Sequence, residues 1–161
     1  MNRHPGGKEN TAKLFRAAKL PEDACVLDMG AGDGSSGCDI CIDIEPCGDK
    51  VIKGDFLNLP FPDESFDGVL SECAFFISGD HMRAISEARR VLRPKGKLML
   101  ADVFFDQPVL PGFNVEFFED ITDEWKEYYL EALWSDENCC GFENIPHRHP
   151  KYYLIVASKE D

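Results

Sequence analysis

Three glycines at alternate positions, Gly30, Gly32 and Gly34, follow the apolar run 25–27 and its acid, Asp28. Lacking Cβ atoms, glycines in a loop at a strand end can take positive φ and let the backbone come close to a nucleoside-containing ligand. The spacing is not that of the dinucleotide-binding loop. Asp28 and Asp33 would repel a pyrophosphate, whereas an ammonium or sulfonium centre suits them. Further acids sit at or near the ends of later apolar runs: Asp43, Asp55, Glu72 and Asp102. With Phe75 and Phe76 beside it, Glu72 can face a cationic group or act as a general base with a raised pKa; the alternative is an acid capping the next turn. Asp102 stands where substrate-facing groups occur in such sheets, and a plain strand-end carboxylate fits equally well.

The elements that must position these groups follow from periodicity. Asn10 is the expected cap of a helix bearing Leu14, Phe15 and Ala18 on one face and ending before Pro21. Short apolar runs predict strands at 26–29, 40–44, 51–56, 66–70 and 97–103. Asp80 caps a helix with Ala84, Ile85, Ala88, Val91 and Leu92 on its inner face, which Pro94, Lys95 and Gly96 end. A strand is expected at 113–118, then a helix capped by Thr122 with Trp125, Tyr128, Tyr129, Ala132 and Leu133 in its stripe, then a last strand at 151–157.

The motif Asp28-x-Gly30-x-Gly32-x-Gly34 resembles the first motif of class I S-adenosylmethionine-dependent methyltransferases. The stretch Gly54-Asp55, then Leu59-Pro60-Phe61, then Ser65-Phe66-Asp67 is similar to their type-11 branch, as is the helix-turn-strand 90–98. The resemblance implies S-adenosyl-L-methionine as cofactor. It implies a binding set of Asp28, Gly30, Ala31, Gly32, Gly34, Asp43, Ile44, Asp55, Phe56, Ser71 and Glu72, with Asp43 on the ribose hydroxyls. Asp55 would take the adenine amino group and Phe56 would supply a backbone amide and a ring wall. Glu72 and Asp102 are the catalytic candidates. The implied fold is α/β: a Rossmann-like doubly wound sheet of about seven strands, mostly parallel, with an antiparallel last strand.

The chain departs from that pattern in two connections. Residues 30–39 and 47–50 are too short for the crossover helices that parallel strands normally need. Helix cover is therefore expected to be reduced on one sheet face, left to the N-terminal helix, and a homodimer or protein partner is expected to bury what remains.

At 161 residues a single domain over 1–161 is expected, and a net charge of −13 argues against nucleic acid or an anionic membrane as partner. No apolar run approaches the ~20 residues of a membrane span. The polar residues 1–5 lack a signal peptide's apolar core, so a cytoplasmic location is expected. Cys38, Cys41 and Cys47 form one loose group and Cys139 and Cys140 a vicinal pair, with His147 and His149 beyond; no metal site is expected from that spacing. Vicinal thiols can instead meet a soft electrophile such as a metalloid, while reduced structural cysteines are the default. The expected activity is methyl transfer to a small-molecule acceptor, a thiol or metalloid among the candidates. A catalytically silent cofactor-binding subunit acting through a partner is the alternative. A nucleotide-binding oxidoreductase is disfavoured because no basic group awaits a pyrophosphate after Gly34.

Overall fold

The computed structural model describes residues 4–134 and 149–161. Helix α1 (Gly7–Ala18) precedes strands β1 (Val26–Met29), β2 (Ile40–Asp43) and β3 (Ile52–Lys53), with no helix between these strands. A 3-10 turn (Phe56–Asn58) leads into β4 (Phe66–Glu72), the one-turn helix α2 (Phe75–Ser78) and α3 (His81–Val91). Then come β5 (Leu92–Phe104), β6 (Phe113–Asp120), α4 (Thr122–Trp134) and β7 (Lys151–Lys159). The sheet order is β3-β2-β1-β4-β5-β7-β6. Strands β1 to β5 are parallel, and β7 lies antiparallel between β5 and β6.

Period-two alternation divides the sheet into two cores. Leu27, Met29, Val69, Leu98, Leu100, Ile155 and Ala157 pack with Ala84, Ile85, Ala88 and Val91 of α3. Val26, Leu70, Met99, Ala101, Leu154 and Val156 face the opposite way, against Leu14 and Ala18 of α1 and Trp125 of α4. That second face is thus shared by two helices rather than left to α1: the Trp125 ring stacks near Tyr152, centroids 6.1 Å apart. Where no helix follows β1, the loop itself covers the sheet. Ser36 reaches Asp28, and Cys38 packs against the α1 core. All four β1 residues are buried, so the apolar strand face expected to need a partner is closed, and the exposed aliphatics nearby are Ile44 and Ile52 at the sheet edge.

Several boundaries differ from expectation for local reasons. Helix α1 starts at Gly7 after Gly6 in the left-handed region, so Asn10 is not its cap. Asn10 is buried inside the first turns, its amide donating to Pro5 O and to Glu124 Oε1 of α4. Strand β3 has two residues because Asp55 takes the Leu57 amide at 2.8 Å and turns Phe56 into the 3-10 element. The chain joins β5 directly from α3, residue 92 pairing with Phe66 before a register shift. Asp80 caps α3 as expected, accepting from Arg83 N at 3.0 Å. At α4 it is Asp120 that accepts the amide and hydroxyl of Thr122.

Candidate functional site

A cleft of about 820 Å³ opens at the carboxyl ends of β1, β2 and β4, roofed by the N-terminal half of α1. The chain order reverses beside β1, which is where open α/β sheets leave a crevice. Gly30, Gly32 and Gly34 all have positive φ. A Cβ on Gly30 would fall 2.3 Å from Ala74 Cβ, so this glycine is required both by its backbone and by the wall it touches. Gly30 and Ala31 donate their amides to Ile42 O at 2.9 and 3.1 Å, tying the loop to β2.

The acids of the cleft are built into this backbone. Asp43 accepts Gly32 N through one oxygen and Glu45 N through the other, both at 2.8 Å. Each oxygen keeps a lone pair for a ligand. Asp55 caps the 3-10 turn and Phe56 stands beside it, its ring 5.7 Å from that of Phe75. Burial raises Asp28 to about 6, against the pull of a 2.5 Å hydrogen bond from Ser36 and with Asp43 and Asp33 adding to the rise. Burial raises Glu72 further, to about 8. The Thr11 hydroxyl lies 3.0 Å from each Glu72 oxygen and opposes that rise, while His4 Nε2 is 3.5 Å away. His4 is itself pushed down by burial, so it stands there as a neutral imidazole at pH 7.

Of the residues expected at the site, Asp28, Gly30, Ala31, Gly32, Asp43, Ile44, Asp55, Phe56 and Glu72 line the cleft. Three do not. Gly34 closes the loop through its amide to Ala31 O and packs toward Val51 and Cys41. Ser71 is fully buried and donates to Met29 O at 3.0 Å. Asp102 is fully buried behind α2, where it accepts the Phe76 and Val103 amides, so it does not reach the cleft to act on a substrate.

The family resemblance implies that the N-terminal helix helps cover the cofactor, but the sequence reading did not assign to the cleft the residues of α1 that line it, Lys8, Thr11, Ala12 and Phe15, with His4 ahead of them. Their 3-1-3 spacing is one helical stripe and was the available signal. Among the described residues no group of His, Cys, Asp or Glu is placed to hold a metal ion. Cys139, Cys140 and His147 lie outside the described residues. The Cys38 thiol is pushed up to about 12, mostly by burial, which makes it a poor nucleophile. No helix among the described residues is long and apolar enough to cross a membrane.

A nucleoside carrying a sulfonium and an ammonium fits this donor set: a glycine cradle that a Cβ would fill, carboxylates on both sides and an aromatic wall. Comparison with known proteins leads the same way. The family profile of the methyltransferase domain matches residues 42–100. The chain is 32% identical over 148 residues to a demethylmenaquinone methyltransferase of Corynebacterium urealyticum, covering 82% of this chain and 57% of that protein. It is 29% identical over 170 residues to a glycine/sarcosine/dimethylglycine N-methyltransferase of Actinopolyspora halophila, covering 70% of this chain and 30% of the relative. It therefore spans about a third to a little over half the length of these curated relatives. The solved structure of the [4+2]-cyclase SpnF shares the fold, with a TM-score of 0.72, 18% identity, 95% of this chain and 80% of that one covered. In its glycine loop, its sheet order and these matches, the chain is similar to the class I S-adenosylmethionine-dependent methyltransferases.

Proposed function

We propose that this protein transfers a methyl group from S-adenosyl-L-methionine to a small-molecule acceptor. The observation that carries the reading is the junction of Gly32 N with Asp43 Oδ2 at 2.8 Å. It fixes a carboxylate at the end of β2 beside the glycine loop, as recognition of a ribose diol requires. Gly30, Ala31 and Gly32 would back the cofactor, Asp55 and Phe56 would hold its adenine, and Asp28 would offset its positive charge, which would in turn draw Glu72 toward its ionised form. When bound, the cofactor supplies a methyl group on a sulfonium.

The chain's own part is placement and proton handling. Residues of α1 exclude water from above, which strengthens every charge interaction beneath. An acceptor that attacks through a protonated nitrogen, oxygen or sulfur must lose that proton as its bond to carbon forms. Glu72, which burial raises to about 8 and so keeps protonated at pH 7 in the empty cleft, would take that proton in its ionised form, the form that rising pH or a neighbouring sulfonium favours. The relatives named for glycine, sarcosine and demethylmenaquinone support small organic acceptors. Among the described residues Lys8 and the neutral His4 face Asp28, Asp33, Asp43, Asp55 and Glu72, which disfavours a large anionic acceptor; thiols and metalloids are included in the panel as soft nucleophiles.

The test is calorimetric titration with S-adenosylmethionine, with NAD as control ligand, followed by assay of S-adenosylhomocysteine release over a panel of amines, quinols, thiols and arsenite. Saturable binding lost in Asp43→Ala, with turnover of one acceptor, supports the reading; no binding by the wild type overturns it. A second reading is a cofactor-binding, catalytically silent subunit of a homodimer or mixed complex in the cytoplasm. It is favoured by the exposed Ile44 and Ile77 at the cleft and Ile52 at the sheet edge. Binding without turnover, together with a stoichiometric complex, would select it.

A further inference from the structure

Helix α2 cannot hold its own position. It is a single turn bounded by Cys73 at φ 58 and Gly79 at φ 75, with backbone bonds from Ser78 N to Ala74 O and from Gly79 N to Phe76 O. One turn does not recover the entropy of fixing its residues, so its placement must come from outside. Yet it forms a wall of the cleft: Ala74, Ile77 and Ser78 line it, and Ala74 lies against Gly30 of the glycine loop.

Beneath α2 lies Asp102, which is 0% exposed near the end of β5. One oxygen accepts Phe76 N at 3.0 Å, the other accepts Val103 N at 2.8 Å, and the Phe75 amide also bonds to the carboxyl. A buried acid is costly, and an aliphatic side chain would fill the same space without that cost. What an aliphatic residue could not do is receive these amides.

We propose that Asp102 is a positioning residue for the cleft: it pins the amides of Phe75 and Phe76, joins them to β5, and so fixes the wall that α2 presents to the bound cofactor and acceptor. The proposal relies on the methyltransferase reading only for the identity of the ligand. The groups facing this carboxyl are few. His81 of α3 stands 3.9 Å off and is held neutral by burial, and Tyr153 pairs with residue 102 across the ladder to β7. Tyr152, next along β7, has its own pKa driven well up, chiefly by burial and in part by Cys73 and Asp102, and stays neutral. Burial raises Asp102 itself to about 7, against the amides that favour its charged form. The clamp is therefore tightest above pH 7 and loosens as the carboxyl takes a proton.

The experiment uses Asp102→Asn, an isostere that must point an NH2 at one of the backbone amides. The Kd for S-adenosylmethionine is measured by calorimetry from pH 5.5 to 8.5 for wild type and variant. Hydrogen exchange of the amides of residues 75–78 is followed in the ligand-free proteins. The expected results are a Kd raised about tenfold at pH 8, the worth of one charge-assisted hydrogen bond, a gap that narrows below pH 7, and faster exchange in α2. Equal affinities and equal pH profiles in a folded variant overturn the proposal. If the variant does not fold, wild-type exchange decides: α2 protection that falls relative to the core as pH drops through 7 supports the clamp, and pH-independent protection overturns it. If the wild type binds no S-adenosylmethionine, the functional reading fails while the exchange arm still judges the clamp.

Discussion

Strands β5 and β7 run 13 and nine residues and pair at eight positions, whereas β2 and β3 run four and two. The long-strand half is held by alternating side chains buried on both faces, Leu98, Leu100 and Ile155 toward α3, Met99, Leu154 and Val156 toward α1 and α4. The short-strand half has little such surface and is tied instead by carboxylates that accept backbone amides. Asp39 takes Val26 N, Asp67 takes Cys25 N, Asp43 takes Gly32 N and Glu45 N, and Asp55 takes Leu57 N. In the first half, packing makes the fold, and it touches the cleft wall through Asp102 beneath α2. In the second, two of the acids that shape the loops, Asp43 and Asp55, also line the cleft, so there fold and candidate site share side chains.

The sharpest break between the halves is expected in the core. Leu100→Ala removes a fully buried side chain from the α3 face and should cost about 2–5 kcal/mol of stability by denaturant unfolding. The protein that remains folded should bind S-adenosylmethionine unchanged. An affinity that falls in step with stability would mean that the two halves are not separable in this way.

Glu72→Gln should act in the opposite sense. The folded carboxyl titrates at about 8 and the unfolded one near 4.5, so between those values the folded state keeps a proton that the unfolded state has lost. Stability must then fall as pH rises through that window. Glutamine imitates the neutral form, so the variant should match the wild type below pH 4.5 and exceed it by on the order of 2 kcal/mol or more at pH 8. Methyl transfer to any acceptor that must lose a proton should drop. A wild type whose stability is flat from pH 5 to 8 would contradict the burial of this acid.

Asp43→Ala tests the double use of one side chain. Losing two amide partners at a partly exposed loop should cost about 1 kcal/mol of stability, while losing the diol contacts should weaken cofactor binding about tenfold or more. Unchanged affinity would reduce Asp43 to a loop former.

The same contrast explains what the sequence made legible. Alternation at 97–103 and the stripe Ala84, Ile85, Ala88 and Val91 state the packed half directly, because burial on a fixed period leaves a pattern. The glycine triplet and the strand-end acids stated the loops of the other half. Asp102 was legible only as an acid near a strand end: whether it faces a cleft or a buried helix turn depends on α2, whose four residues carry no period of their own. Ser71 failed for the same reason, since its hydroxyl is spent on Met29 O across the β1–β4 pairing. The α1 stripe was read for its packing side, Leu14, Phe15 and Ala18, and the adjacent Lys8, Thr11 and Ala12 were not singled out.

Arg90 gives the finest form of the comparison, because one guanidinium joins a buried acid to an exposed one. Glu87 is 5% exposed by side chain and accepts both Arg90 Nε and Nη2, as well as the Leu59 amide at 2.8 Å. Asp63, on the same guanidinium at 2.9 Å, is 75% exposed. The first pairing holds Glu87 below its ordinary pKa, chiefly through Arg90, so its contribution is present above pH 4.5 and is lost as pH falls through the folded value. Asp63 stands in water, where salt and side-chain entropy offset the pairing. Asp63→Ala should therefore change stability by no more than about 0.5 kcal/mol, and by less at high salt. Glu87→Ala strands a buried amide and should cost several times as much. Equal losses from the two variants would place the strength of this corner in the charge of Arg90 alone. Unequal losses place it in the buried amide of Leu59, the same carboxylate-to-backbone device that builds the loops around the cleft.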